Sequence, residues 1–288
     1  MIPSTIPQTD EVFKGYTILD VLRHVNRSTP IIDVHDAVIT ALAAFKALEI
    51  PELAVADRRM GVVGVLTGYN LISHLYRVAL TSPEKLWAAL YKTPVYDVQW
   101  ITLSGETTMN LVDLVARMRA RMWGFTSVYL GEAQYLLSIL DVVRFLVSSG
   151  ALERTSLRLL DIATENVVSV EKNLTIFKLM DVMMRRRVRR VVLEGDDHII
   201  TDRGILQYLA SNPVLEILRD NPSKVIETSL DALTAYASKP VILSGDTPLS
   251  TVFSKMIEKE PYTVLTQDRK HILTPWDITK LLKKGEGV

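Results

Sequence analysis

The chain contains no cysteine, which excludes thiolate metal sites, cysteine nucleophiles and disulfides and fits an intracellular protein. It also has no net charge: 33 Lys and Arg balance 33 Asp and Glu. The balance holds in each half, with 13 against 14 in residues 1–150 and 20 against 19 in residues 151–288. Neither half therefore has the bulk field of a nucleic-acid or membrane-surface binder. No apolar run approaches the roughly 18–20 residues that a membrane helix needs. Residues 1–14, broken by Pro3 and Pro7, have no signal-peptide core. The five histidines (His24, His35, His74, His198 and His271) form no zinc spacing, and no glycine-rich phosphate loop or nucleophile–base pair stands out. Enzyme is thus the least supported class. At 48% apolar and 23% charged residues, the composition is that of a soluble globular protein, expected in the cytoplasm, and 288 residues suffice for two domains.

What the chain does have is internal repetition. Four apolar strands run into a helix start marked by a hydroxyl residue. They are Gly64-Val65-Leu66-Thr67-Gly68-Tyr69-Asn70, Tyr135-Leu136-Leu137-Ser138-Ile139-Leu140-Asp141, His198-Ile199-Ile200-Thr201-Asp202-Arg203-Gly204 and His271-Ile272-Leu273-Thr274-Pro275-Trp276-Asp277. The last is the strongest helix start, with Thr274 at the N-cap, Pro275 at the first helical position and Asp277 at the third. Spacing between junctions runs long, short, long, as in two pairs joined in the middle.

The material ahead of each junction repeats as well. A short apolar strand (Ile31-Ile32, Ile101-Thr102-Leu103, Val167-Val168-Ser169-Val170, Val241-Ile242-Leu243) leads to an amphipathic helix, capped by Asn173 in the third copy and opened by Thr247-Pro248 in the fourth. A hairpin follows, with turns at Asp57-Arg58-Arg59 and Glu194-Gly195-Asp196-Asp197. Closing helices are expected near 71–80, 142–146, 205–209 and 278–282. Each unit reads β-α-β-β-α. Ser148-Ser149-Gly150 marks the middle boundary, before a helical connector near 152–162, and segments 83–92 and 213–237 read as helical linkers. A single unit would have a marginal core, so the units are expected to pack in pairs.

In this order of elements, and in the pattern Gly-apolar-apolar-Ser/Thr-x-x-Asp, the sequence resembles the cystathionine-beta-synthase (CBS) domain family over about residues 17–285. The resemblance implies an α/β fold of four CBS repeats in two tandem pairs, or Bateman modules, which can close into a flat disc on each other or pair with a second chain as a homodimer. The repeats span 17–82, 83–150, 151–212 and 213–288, after an N-terminal extension of residues 1–16. Thr274 to Asp277 matches closely, and Ser138 to Asp141 matches apart from Tyr135 at the glycine position. Asn70 replaces the aspartate in the first repeat, and Gly204 in the third. Four repeats with nothing else attached are similar to the nucleotide-sensing gamma subunit of AMP-activated protein kinase and to stand-alone archaeal proteins.

The resemblance implies a non-catalytic sensor of energy charge that binds AMP, ADP or ATP in clefts between paired repeats and signals to an unidentified protein partner. S-adenosylmethionine and NAD are less favoured ligands. Thr274 and Asp277 lead the expected contacts, followed by Ser138 and Asp141, then Arg189 and Arg190 for phosphate, with Thr67, Asn70 and Thr201 after them. The physics is that a carboxylate accepts two hydrogen bonds from a cis-diol, as in dinucleotide folds. Asn70 accepts without charge, and Gly204 cannot accept at all. In the family, basic residues ahead of the second strand meet phosphate. Here that place holds Arg189-Arg190, with Pro261-Tyr262 in the fourth repeat and Phe125-Thr126 in the second.

Each feature also has a plain structural reading. Ser/Thr-x-x-Asp is a capping box in its own right, though four copies in phase favour the ligand. The arginines of 185–190 can simply face the negative end of a helix dipole. His198 and His271 are expected to be exposed strand-edge residues, the Met180–Met184 stretch to be core or a surface on which repeats pack, and Asp246-Thr247-Pro248 to be a cap. Two alternative functions remain: a scaffold that has lost its ligands, and a nucleic-acid-associated regulator using Arg185 to Arg190.

Overall fold

The computed structural model describes residues 10–25, 30–48, 52–98, 100, 104–122, 124–130 and 133–282. Each repeat contributes a three-stranded sheet in which the leading strand lies parallel to the first hairpin strand. The sheets are β1 (Ile31–Asp33), β2 (Glu52–Asp57) and β3 (Gly61–Thr67); then β4 (Ser104–Glu106), β5 (Phe125–Leu130) and β6 (Ala133–Ser138). A two-residue strand, β7 (Thr164–Glu165), precedes the third sheet of β8 (Ser169–Val170), β9 (Arg190–Leu193) and β10 (Ile199–Thr201). The fourth is β11 (Val241–Leu243), β12 (Val264–Thr266) and β13 (His271–Leu273), extended by β7 on the outer side of β13. Helices fill the expected gaps at Val38–Leu48, Leu111–Arg121, Ile176–Arg186 and Leu249–Ile257. They are amphipathic. The third, for example, buries Ile176, Leu179, Met180 and Met183 on one face.

Several local expectations shift. The third-repeat helix is capped by Thr175, whose side chain accepts from the Lys178 amide, and not by Asn173. Thr175 wins because its hydroxyl stands three residues before an amide that the helix leaves unbonded. Pro248 occupies the N-cap of Leu249–Ile257 with no side-chain bond, while the Thr247 hydroxyl donates to the Ser244 carbonyl. The connector near 152–162 is broken into a 3-10 turn, Ala151–Arg154, and a short helix, Leu159–Ile162. The strand read at Ile101-Thr102-Leu103 lies outside the described residues, and the pairing strand is β4.

The chain divides into two compact units with separate cores. One comprises residues 29–102 and 168–239, which are repeats one and three; the other comprises 1–28, 103–167 and 240–288, which are repeats two and four. In the first unit the helix Gly68–Thr81 packs on Ile176–Arg186 and Asp202–Leu209. There Tyr76 stacks on Phe177 and donates from its hydroxyl to Asp181 at 2.6 Å. In the second unit, Ile139–Ser148 packs on Leu249–Ile257 and on the 3-10 helix Pro275–Leu281. Arg119 there donates to the Thr279 and Leu282 carbonyls at 3.2 and 3.0 Å, satisfying acceptors that a helix end leaves open.

Each repeat is completed by an arm that precedes a different repeat in the chain. Residues 16–19 pair with 107–111 of repeat two, and residues 93–96 with 34–38 of repeat one. Residues 157–165 bond to 245–249 and to β13 of repeat four, while 228–230 and Ser238 bond to 174–176 and Ile199 of repeat three. The arms thus swap between repeats one and two, and between three and four.

Candidate functional site

All four junctions fold as the hydroxyl pattern demands. At the first, the Thr67 hydroxyl donates to Asn70 Oδ1 at 2.6 Å and accepts from the Asn70 amide at 3.2 Å. At the second, the Ser138 amide and hydroxyl donate to Asp141 Oδ2 at 2.8 and 2.7 Å. At the third, Thr201 accepts from the Gly204 amide at 3.1 Å. At the fourth, the Thr274 amide and hydroxyl donate to Asp277 Oδ2 at 2.7 and 3.0 Å. Ser138, Asp141 and Asp277 are buried. Both acids also meet a cation three residues on, but unequally. Lys280 Nζ lies 2.7 Å from Asp277 Oδ1, whereas the Arg144 guanidinium stands 3.9 Å from Asp141 Oδ1 and is drawn toward the Tyr262 hydroxyl at 3.2 Å.

Strand register corrects the phosphate-side positions. Thr201 pairs with Arg190, Ser138 with Phe125, and Leu273 with Val264. The counterparts of Arg189-Arg190 are therefore Gly124-Phe125 and Tyr262-Thr263, one residue away from Phe125-Thr126 in the second repeat and from Pro261-Tyr262 in the fourth. The same bond confirms the frame: the amide after the junction hydroxyl donates to the carbonyl of Arg189 in repeat three and of Gly124 in repeat two.

Within the first unit two junctions meet. A Cβ built on Gly68 would lie 3.2 Å from the Asp202 carboxyl and 3.3 Å from Leu206, so the first and third junction helices touch there. Arg189 Nε donates to Asp202 Oδ2 at 2.7 Å. The half-buried Tyr69 sits beside them. Burial raises its pKa above the ordinary tyrosine value, the positive charges of Arg187 and Arg189 pull it back, and Asp202 adds to the rise. Thr67, Asn70, Thr201, Arg189 and Arg190 all belong to this unit; Ser138, Asp141, Thr274 and Asp277 belong to the other.

Other residues can be set against their sequence reading, some agreeing with it and some not. His198 and His271 are half-buried against Asp196 and Asp268 rather than exposed, because the turn ahead of β10 and of β13 carries an aspartate beside each ring. Met180 and Met183 are core. In the arginine run, Arg185 is held by Asp181 at 2.8 Å and Arg189 by Asp202. Lys280 and Arg144 were legible as cations three residues beyond an acid. Thr164, which donates to Asp277 Oδ1 at 2.9 Å, carries no sequence signal because its arm is distant in the chain. Among the described residues no cluster of three or more metal-ligating side chains occurs, and no helix is long and apolar enough to cross a membrane.

The family model for the CBS domain matches residues 159–211, the third repeat with the helix before it. The chain carries a CBS domain. Its fold is that of CBS proteins along most of its length. A Methanocaldococcus jannaschii protein put forward as an archaeal homologue of the gamma subunit of AMP-activated protein kinase superposes with a TM-score of 0.74 at 17% identity, covering 89% of this chain and 96% of that one. An uncharacterised conserved protein from Pyrococcus horikoshii superposes at 0.55 with 11% identity, covering 93% and 100%. A 33.4 kDa uncharacterised protein encoded in a ribosomal RNA operon of Thermofilum pendens is 25% identical over 265 residues, 87% of each chain. At these identities the solved structures speak for the fold alone.

Proposed function

We propose that this CBS protein is a non-catalytic regulator that binds adenosine nucleotides, AMP, ADP or ATP, at its strand-to-helix junctions and passes their occupancy to a protein partner. The observation that carries the reading is the meeting of junctions one and three, where the helix start at Gly68 touches Asp202 and Arg189 stands 2.7 Å from that carboxylate. Helix-start amides and a guanidinium are complementary to phosphate. Within the other unit, Ser138 with Asp141, and Thr274 with Asp277, offer a hydroxyl and a carboxylate to ribose; Thr67, Asn70, Thr201 and Arg190 serve the unit of junctions one and three. A regulator of this kind needs a ligand that prefers one of two states, since equal affinity shifts nothing.

Thermal unfolding with AMP, ADP, ATP, S-adenosylmethionine and NAD tests the reading. A ligand at ~100 times its Kd adds about 2.7 kcal/mol, so a clear rise in Tm is expected with an adenosine nucleotide. No rise with any of the five would overturn it. Asp141→Asn should weaken adenosine and ATP alike, whereas Arg189→Met should weaken ATP more than adenosine. Equal effects of the two substitutions on both ligands would remove the ribose role of Asp141 and the phosphate role of Arg189, each in its own unit.

A second reading, a ligand-free scaffold, is favoured by one observation: the Asp277 carboxylate is already fully hydrogen-bonded within the chain. The melting screen separates the two. The nucleic-acid reading has less support because the chain carries no net charge, with 33 Lys and Arg against 33 Asp and Glu.

A further inference from the structure

Asp277 is bonded on all sides. Its Oδ2 accepts from the Thr274 amide and hydroxyl, and its Oδ1 accepts from the Thr164 hydroxyl at 2.9 Å and from Lys280 Nζ at 2.7 Å. A carboxylate has about four acceptor positions, and these four donors fill them. Lys280 is saturated as well. Its ammonium donates to Asp277, to the Ile162 carbonyl at 2.7 Å and to the Thr164 hydroxyl at 2.8 Å, which uses its three N–H bonds. Ile162 and Thr164 both lie on the swapped arm, and Thr164 belongs to β7, which pairs with β13 next to the junction. One carboxylate and one ammonium therefore tie the arm to the fourth junction.

We propose that Lys280 and Thr164 act as an internal latch on Asp277, so that a ribose diol reaches this carboxylate only by releasing the arm of residues 162–165. The inference rests on the sensor reading above and adds a mechanism to it. The two outer donors on Asp277, a hydroxyl and an ammonium, are replaceable by the two hydroxyls of a cis-diol, which ask for the same acceptor. The inner pair from Thr274 closes the helix start and stays. Ligand and arm thus compete for Oδ1. Competition is reciprocal: whatever the latch takes from ligand affinity, the ligand takes from arm attachment. The third junction shows the same covering by a different contact, since a Cβ on Gly204 would lie 2.6 Å from the Tyr236 carbonyl of its own swapped arm. Repeat four is accordingly the repeat whose filling moves an arm.

Lys280→Met keeps the aliphatic stem and removes the ammonium; Thr164→Val removes the arm's hydroxyl with little change of volume. Amide hydrogen exchange of residues 162–166 and the affinities for adenosine and 2′-deoxyadenosine are measured on the full chain. Adenosine carries the diol without phosphate, so loss of the lysine charge does not confound the result. Both variants should exchange faster in the arm. Both should bind adenosine about tenfold tighter at one site, a gain absent for 2′-deoxyadenosine and abolished by adding Asp277→Asn. Unchanged arm exchange in both variants would overturn the latch. Faster exchange with unchanged adenosine affinity would overturn the competition. Absence of adenosine and nucleotide binding in the wild type and in both variants would overturn the sensor reading itself, and the competition with it.

Discussion

Asp277 was the leading ligand residue on sequence grounds, and its surroundings change what its removal should do. Asp277→Ala would strand Lys280 and Thr164 as well as the junction amide, so it should lower unfolding stability by about 2–3 kcal/mol in denaturant titration. A ligand-only role would leave stability unchanged. Asp181 offers a pH-dependent counterpart. Its pKa is held below the usual carboxylate value by the hydrogen bond from Tyr76, against the opposing effect of burial and with help from Arg185. Because its folded pKa is depressed, its contribution is present above the unfolded carboxylate pKa of about 3.9 and is lost as pH falls through the folded value. Tyr76→Phe should reduce stability by about 1 kcal/mol at neutral pH and flatten the acid limb of the stability profile. His74 acts at higher pH. Its pKa is lowered by burial and by Arg77, and its Nε2 has no hydrogen-bond partner among the described residues. A depressed histidine stabilises above its unfolded pKa of about 6.5 and costs stability as pH drops below it. His74→Gln should therefore weaken the dependence of Tm on pH as pH falls below about 6.5.

At the scale of elements, the junctions were legible in the sequence because everything that makes them is local. A hydroxyl, an acid three residues on and an apolar strand before them suffice to fix a helix start. The arms were not legible. Thr164 reaches Asp277 across 113 residues, and Tyr236 covers Gly204 from outside its hairpin. Periodicity within a window carries no trace of either. Gly204 illustrates the difference. From sequence it reads as a site that has lost its acid; in the fold it is a position where the arm's backbone leaves no room for a side chain. Gly204→Ala should accordingly destabilise the chain by about 1–3 kcal/mol through overpacking, measured by the denaturant midpoint. A neutral or stabilising result, as expected of alanine in an open helix, would show that the arm yields. The strand register was legible to within one residue: the first hairpin strand was found, but its start was misplaced in repeats two and four, where a Gly-Phe and a Pro-Tyr-Thr sequence blur it.

On the scale of the molecule, the β-α-β-β-α order and its fourfold repetition were plain from the sequence, while the grouping of repeats one with three and two with four was not. Linear spacing pointed to the middle of the chain as the natural division. The cores ignore it, since each draws on both sides of residue 150. Fragments 1–150 and 151–288 each retain both of their swapped arms but only half of each core. Expressed apart they should be poorly stable, and expressed together they should co-purify as a complex. Two independently stable, non-associating fragments would contradict the division of the cores.

The contact between Tyr76 and Asp181 spans 105 residues of chain. On a ribosome adding about 5–20 residues per second, the apolar face carrying Tyr76 emerges some 5–20 seconds before the helix that covers it. During that interval the nascent first repeat presents an open, sticky flank. Survival of newly made protein should thus depend on chaperone occupancy and elongation speed as much as on the finished fold.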